Sequence, residues 1–254
     1  MKLPNALLAA MLLAVPDGVV AQPLSYFLHP PGCVWGSLVM TNTSAVGLAA
    51  YPDGVVVAAN EIAPPGPDLD WWGLLAKVSG ADGSVLLRTN FQGEGTHNRI
   101  TDIIPVAAGG GTVEGFAFTG MKFCSSPPWG GPWTWLVKLD VNLVKQAEAH
   151  VGTVSQTGWG YTLIQEPSGF VVGGTDAYTV SGSYWDWLGR FDAALNLIAQ
   201  TNLPGGCQSV FARAPGIGGG YVAGTGNMSP LDDDCSSVVK INNGSSVMAP
   251  PPRG

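Results

Sequence analysis

Charged residues are scarce in this sequence: Asp, Glu, Lys and Arg make up 11% of its 254 residues, against about 25% in ordinary domains. The 11 basic residues are outnumbered by 18 acidic ones, which gives a formal net charge of −7. Nucleic-acid binding needs a surplus of Lys and Arg on one surface, so nucleic acid is excluded as a partner. Since 46% of the residues are hydrophobic, the composition is that of a folded chain and not of a disordered one.

The sequence also lacks the motifs of the common enzyme classes. It contains no Gly-x-Ser-x-Gly nucleophile motif, no phosphate-binding loop and no dinucleotide fingerprint. No cysteine pair has the spacing of a zinc site. The three histidines, His29, His97 and His150, are scattered along the chain, and we interpret each as a polar residue at a strand end. We therefore expect no cofactor, apart from the calcium site considered below.

Long apolar runs are absent, but the first 21 residues have the pattern of a secretory signal peptide. Lys2 is followed by the uncharged run ALLAAMLLAV, and the small residues Val19 and Ala21 precede the expected cleavage point. This run is too short to cross a bilayer, and no later run is long enough, so we expect no transmembrane segment. Alternatively, PDGVVA at 16–21, which resembles PDGVVVA at 52–58, belongs to a degenerate repeat. We predict a secreted or cell-surface protein, and a monomer.

Four cysteines are few for a chain of this length, but secretion would allow them to form disulfides. Cys33, Cys124, Cys207 and Cys235 can pair in three ways. A Cys33–Cys235 bridge would tie the two ends of the fold together, and a Cys207–Cys235 bridge is equally compatible with the sequence. Three asparagines begin Asn-x-Ser/Thr triplets and are predicted glycosylation sites in a host that glycosylates: Asn42, Asn227 and Asn243.

Two sequence patterns recur about every fifty residues. The first contains a basic residue, preceded by tryptophans in three copies, and reads WWGLLAKVS at 71–79, PWTWLVKLD at 132–140 and YWDWLGRFD at 184–192. A fourth, weaker copy, DCSSVVKIN at 234–242, has Cys235 in place of the first Trp. The second precedes each copy and reads GVVVAAN from Gly54, GFAFTG from Gly115, GFVVGGT from Gly169 and GYVAGTG from Gly220. A period of about fifty residues, made of short apolar runs and turn residues, is typical of the blades of a β-propeller.

The repeats predict an all-β fold, a β-propeller whose blades are four-stranded antiparallel sheets of about fifty residues. The predicted domain covers 22–249, and 250–254 is a Pro-rich tail or the start of a linker. Its blades are predicted at about 45–93, 97–152, 158–206 and 207–248. Residues 35–42 resemble the outer strands of the blades and are expected to complete the last blade, which would close a four-bladed ring. The alternative is that the four repeats are part of a larger propeller.

The paired tryptophans of the repeats are interpreted as packing residues and not as sugar-stacking sites. Strand alternation places Trp133 and Trp135 on one face, and likewise Trp185 and Trp187. Such rings would fill the space between neighbouring blades. The basic residue of each repeat and the acid two places later share a face, and we expect an ion pair between them.

The segments GFVVGGT, DWLGRFD and GYVAGTG resemble the blade repeats of secreted bacterial and extracellular propellers. They are also similar to kelch repeats in the Gly-Gly pair and in the strand that ends in an aromatic residue and Asp. The resemblance covers residues 45–248 and is confined to the repeats. It implies a propeller fold, but it implies no catalytic residue because propellers of similar fold differ widely in function.

The loops that join second and third strands vary between the repeats, which favours them as the functional surface. The candidate ligand-binding residues in or beside these loops are Trp129, Trp71, Tyr178, Tyr184, Asp68 and Asp70. Asp232, Asp233 and Asp234 are a speculative calcium site, since calcium takes six to eight oxygen ligands. We predict a binding or scaffold module for glycan or extracellular protein. The alternative is a secreted glycoside hydrolase or lyase that uses rim carboxylates.

Overall fold

The computed structural model describes residues 43–62, 71–91, 98–108, 111–123, 132–151, 156–178, 183–203, 209–213, 220–225 and 237–242. These residues form β-strands and contain no helix. The strands are β1 (Thr43–Tyr51), β2 (Gly54–Ile62), β3 (Trp71–Ser79), β4 (Val85–Phe91), β5 (Asn98–Ala107), β6 (Val113–Phe123), β7 (Pro132–Asp140), β8 (Lys145–Val151), β9 (Gln156–Glu166), β10 (Gly169–Tyr178), β11 (Ser183–Asp192), β12 (Leu197–Leu203), β13 (Ser209–Arg213), β14 (Gly220–Thr225) and β15 (Ser237–Asn242).

The strands are arranged in sheets in which each strand pairs with the next one along the chain. The first sheet is β1–β4, the second is β5–β8 and the third is β9–β12, each with four antiparallel strands. The fourth sheet has three described strands, β13–β15. The structure thus confirms the predicted all-β class and the four-stranded antiparallel sheets. Within the described ranges no helix is long and apolar enough to cross a membrane.

In the first three sheets, the glycine at the start of the second strand is required by the close approach of the third strand. A Cβ atom at Gly54, Gly115 or Gly169 would collide with a carbonyl oxygen of the facing strand, at Val78, Leu139 and Phe191 respectively. At Gly174 a Cβ would likewise collide with the carbonyl oxygen of Trp159 in β9. Gly174 therefore permits the close approach of the β9 and β10 backbones.

The first strand of every four-stranded sheet contains a β-bulge at the same place. The register shifts between Ala45 and Gly47 in β1, between Ile100 and Asp102 in β5, and opposite Gly173 and Gly174 in β9. A bulge adds one residue and increases the local twist, so the repeated bulges give the three sheets a similar bend. The repetition therefore extends to the irregularities of the sheets.

Successive sheets pack face to face through their first strands. Strand β5 contacts β1, β2 and β3 of the first sheet, and β9 contacts β5, β6 and β7 of the second. Strand β13 contacts β9 and β10 of the third sheet in the same way. The described strands of the fourth and first sheets share no comparable packing.

Two apolar clusters fill the spaces between the first three sheets. Trp135 packs between the first and second sheets, where its ring meets Phe118 edge to face at 4.8 Å between centroids. Trp187 is fully buried between the second and third sheets, beside Leu136. Trp135 and Trp187 are packing residues, as the repeat pattern predicts. Trp133, for which packing is also predicted, is only half-buried and belongs to neither cluster, and the side chain of Trp185 is outside the described residues.

Among the described residues, the expected ion pairs between the basic residue of the third strand and the acid two places later are not formed, because the acid binds the turn between the third and fourth strands. The Asp140 carboxylate accepts hydrogen bonds from the backbone N–H groups of Asn142 and Val144, and Asp192 does the same for Ala194 and Asn196. Arg190, which the sequence pairs with Asp192, instead binds Glu166 at 3.0 Å. The acid satisfies the backbone donors of its own tight turn, a local partner that is always within reach.

Side chains from both neighbours bind the backbone of β5. The Asn60 amide accepts from the N–H of Ile100 at 2.8 Å and donates to its C=O at 2.9 Å. Gln165 makes the same two bonds to Ala107, both at 2.9 Å. Asp102 of β5 accepts in turn from the Leu163 N–H in β9 at 2.8 Å. These hydrogen bonds fix the positions of the first three sheets relative to one another.

The first sheet is buried on both faces. Val56 and Leu75 lie in the cluster shared with the second sheet. Ala59 and Leu74 lie on the opposite face by alternation, and both are 0% exposed. The strand registers make Leu74 the counterpart of Trp135 and Trp187. Those two residues face the preceding sheet, so the corresponding face of the first sheet is apolar and covered as well.

Candidate functional site

The candidate site lies at the strand ends that carry the variable loops. Trp71 is the first residue of β3, and Tyr178 is the last residue of β10. Tyr184 is the second residue of β11 and pairs with Ala177. Tyr178 and Tyr184 therefore lie at strand ends beside the loop and not within it. The antiparallel ladder continues to the Tyr178–Ser183 pair, because aromatic residues favour strands.

The other predicted site residues lie outside the described residues. They are Trp129, Asp68, Asp70, Asp232, Asp233 and Asp234, the cysteines Cys33, Cys124, Cys207 and Cys235, and the asparagines Asn42, Asn227 and Asn243. The signal peptide at 1–21, the closing strand at 35–42 and the tail at 250–254 are outside them too. Phe123 ends β6 and Pro132 begins β7, so the segment with Trp129 starts and ends at the same edge as Trp71.

Trp71 is held by an arginine from the neighbouring sheet. The Arg99 guanidinium, at the start of β5, lies 4.3 Å from the centroid of the Trp71 ring. Both side chains are half-buried. Burial lowers the pKa of Arg99, and its buried Nε has no hydrogen-bond partner. The described ion pairs leave Arg99 without a carboxylate.

A second polar group surrounds Glu148 on β8. Its carboxylate accepts from Lys122 Nζ at 2.8 Å and from Trp135 Nε1 at 2.7 Å, and it also binds Lys145. The His150 Nε2 atom lies 3.0 Å from the same carboxylate. Together with the His150 contact, these bonds hold the pKa of Glu148 far below its ordinary value, although burial opposes the shift. Since Lys122 is only 4% exposed, the group chiefly neutralises a buried ammonium.

The Glu148 group has a charge-reversed counterpart in the first sheet. Glu61 occupies the position of Lys122, seven residues after the glycine of the second strand, and Arg88 occupies the position of Glu148. Glu61 and Arg88 form an ion pair of 3.2 Å. Sequence reasoning missed both pairs, although opposite charges at matched repeat positions could have identified them.

Half-buried aromatic rings also lie near the corresponding strand ends of the second and third sheets. Trp133 lies 6.1 Å from the His150 ring, and Trp159 of β9 lies 6.1 Å from Tyr161. The register places Trp159 at the position of Arg99. We refer to Trp71, Arg99, Trp133, His150 and Trp159 as the rim. Its indoles and cation can stack on a flat ligand face and bind an anion, respectively.

The described residues offer no metal site, and their one carboxylate with a raised pKa has a structural role. Within those ranges, no group of three His, Cys, Asp or Glu side chains is placed to hold a metal ion. Burial raises the pKa of Asp102, but both of its oxygens accept backbone N–H groups, from Ile103 and Leu163. Its arrangement is that of a structural carboxylate.

Comparison with known proteins gives no family for this chain. No model of a protein family matches the sequence, and no curated protein is significantly similar to it.

Proposed function

We propose that the chain is a secreted or cell-surface β-propeller that binds glycan or extracellular protein through its rim and the adjoining loops. Three features of the fold support the propeller. The sheets repeat the same strand order and the same bulges, each sheet packs on its predecessor through its first strand, and the first sheet has a covered far face. We propose that the fourth sheet, completed by residues 35–42, covers that face and closes the ring.

The observation that supports binding is that some tryptophans are buried between the sheets, whereas others are partly exposed at the strand ends. Trp135 and Trp187 are consumed in packing between sheets. Trp71, Trp133 and Trp159 keep part of their surface exposed, and all three lie near the same loop-bearing edge. Half-buried indoles on a rigid sheet end can contact a ligand at little cost in side-chain entropy.

A binding array tests this proposal. The secreted chain is applied to immobilised glycans and matrix proteins, with and without EDTA, beside three variants. Trp71→Ala and Trp129→Ala should weaken retention by roughly tenfold or more if the rings stack on the ligand. Val144→Ser is the matched control, because Val144 is exposed in the turn at the opposite end of the second sheet.

Two outcomes would count against the proposal, and a third would add a calcium site to it. Equal retention of all the variants would remove the binding surface from this edge. New reducing or unsaturated ends on a bound polysaccharide would replace the binding module by the polysaccharide-acting enzyme. Loss of retention with EDTA would add the calcium site, for which Asp232, Asp233 and Asp234 are the proposed ligands.

A further inference from the structure

We infer that Trp71 and Arg99 form a subsite for a carboxylate-bearing sugar residue, of the uronic acid type, in a sparsely charged glycan. This inference rests on the proposed binding function and specifies its ligand class. The inference has three requirements. Arg99 must keep N–H donors that its stacking on Trp71 does not use. The ligand must be an anion, and its carboxylates must be widely spaced along the glycan.

The capacity follows from the geometry of the guanidinium. Arg99 carries five N–H donors in the plane of its head group. The indole of Trp71 covers a face of that group, and a face contact satisfies none of the in-plane donors. The buried Nε has no partner and is closed to a ligand, so the donors left for one are those of the two terminal nitrogens, which form no described ion pair. Stacking therefore orients the guanidinium and leaves its edge for a planar, bidentate acceptor such as a carboxylate.

The pattern of ion pairs favours an external anion. Arg88, Lys122, Lys145 and Arg190 each pair with a Glu of the protein. Arg99, Lys77 and Lys138 have no carboxylate partner among the described residues, and of these three only Arg99 has a buried donor atom without a hydrogen-bond partner. A partly desolvated cation without a counter-ion is costly to retain, which marks it as a functional-site residue.

The overall charge restricts the ligand further. A net charge of −7 repels polyanions at long range, so a densely charged chain is a poor ligand. A glycan in which uronate residues alternate with neutral sugars carries one carboxylate per subsite. Its apolar ring faces can pack on the indoles of Trp71 and Trp159 while its carboxylate binds Arg99.

The test compares two oligosaccharides that differ only in charge. The probes are a tetrasaccharide of alternating glucuronate and N-acetylglucosamine and the same tetrasaccharide with its carboxylates reduced to alcohols. Calorimetry on the full chain from a secreting host should give an affinity for the acidic probe at least tenfold higher, since a hydrogen bond to a charged group has about that effect. This comparison needs no variant, so it does not depend on whether a mutant folds.

Variants of Arg99 then assign the effect to this residue. Arg99→Gln should lower the affinity for the acidic probe to that for the reduced probe and leave the reduced probe unchanged. Arg99→Lys should recover only part of the difference, because an ammonium lacks the bidentate fork. Val144→Ser should match the parent chain.

The outcomes separate this inference from the proposed function. Equal binding of both probes, with loss in Trp71→Ala, would retain the glycan-binding rim and overturn the carboxylate subsite. Binding of neither probe, but Arg99-dependent binding of a Glu-rich peptide, would overturn the sugar and assign the subsite to acidic protein ligands. Binding of no glycan, no peptide and no matrix protein would overturn both proposals.

Discussion

Trp135 and Trp187 occupy equivalent positions in the second and third sheets, yet their indole N–H groups have different surroundings. Trp135 Nε1 donates to Glu148 at 2.7 Å. Trp187 Nε1 is buried and has no hydrogen-bond partner. The counterpart of Glu148 in the third sheet is Gln200, which is exposed. Trp135 and Trp187 are therefore equally buried, but only the indole N–H of Trp135 forms a hydrogen bond.

We predict that Trp135→Phe lowers the free energy of unfolding by about 2 kcal/mol more than Trp187→Phe. Both changes remove a similar volume from a core cluster, but only Trp135→Phe removes a hydrogen bond to a charged group. Urea unfolding of the two variants beside the parent chain measures the difference, and each variant is the control for the other. Equal losses would mean that the Glu148 bond contributes nothing to stability.

Sequence reasoning recovered the roles of these tryptophans because burial between sheets follows from strand alternation. It missed the Lys122–Glu148–His150 group, because Lys122 lies on β6 and reaches Glu148 and His150 on β8 only through the strand register. The same applies to Arg99 and Trp71, which belong to different sheets. The acids after the third strands were misassigned for a related reason: a backbone donor four residues away was nearer than the expected cation.

At the level of elements, β5 is distinctive because amide side chains from both neighbouring sheets bind its backbone. Asn60 makes its two bonds to Ile100 in a buried environment, whereas Gln165 makes the same bonds to Ala107 near the surface. The chemistry of the two contacts is the same and the exposure differs. This pair therefore measures how much burial adds to one hydrogen-bonding motif.

We predict that Asn60→Ala costs about 3 kcal/mol of unfolding free energy and that Gln165→Ala costs less than about 1 kcal/mol. The first change leaves the N–H and C=O of the fully buried Ile100 without their inter-sheet partner, and water cannot replace it without a rearrangement. At Ala107 water can take over both bonds. Chemical denaturation of both variants checks the values. A loss at Gln165 as large as that at Asn60 would contradict the role of burial.

The sequence predicted the strands and sheets better than it predicted side-chain contacts. The glycines of the second strands, the basic residue of the third strands and the short apolar runs together predicted four-stranded antiparallel sheets, which the structure confirms. The limits of the loops were less predictable. The strands β10 and β11 extend through Tyr178 and from Ser183, because β-favouring residues continue the ladder beyond the repeated motif.

For the whole molecule, the question is how the row of four sheets ends. The far face of the first sheet carries Leu74, Ala76 and Val78, all of which are buried. By register this face is the one with which the second and third sheets pack on their predecessors. In the proposed ring, the fourth sheet is the predecessor of the first. In an open row, the first and fourth sheets would lie at opposite ends.

Cross-linking of the native lysines distinguishes the ring from the row. The repeated basic position is a lysine in the first, second and fourth sheets, at Lys77, Lys138 and Lys240. Packed sheets lie about 10 Å apart, so neighbouring sheets are within reach of a short amine-reactive linker. In a closed ring Lys77 is next to both Lys138 and Lys240, and we expect Lys77–Lys138 and Lys77–Lys240 links in comparable yield.

In an open row two sheets lie between Lys77 and Lys240, which are then about 30 Å apart. Mass spectrometry of monomeric, cross-linked chain would then show the Lys77–Lys138 link alone, and the four-sheet ring would be wrong.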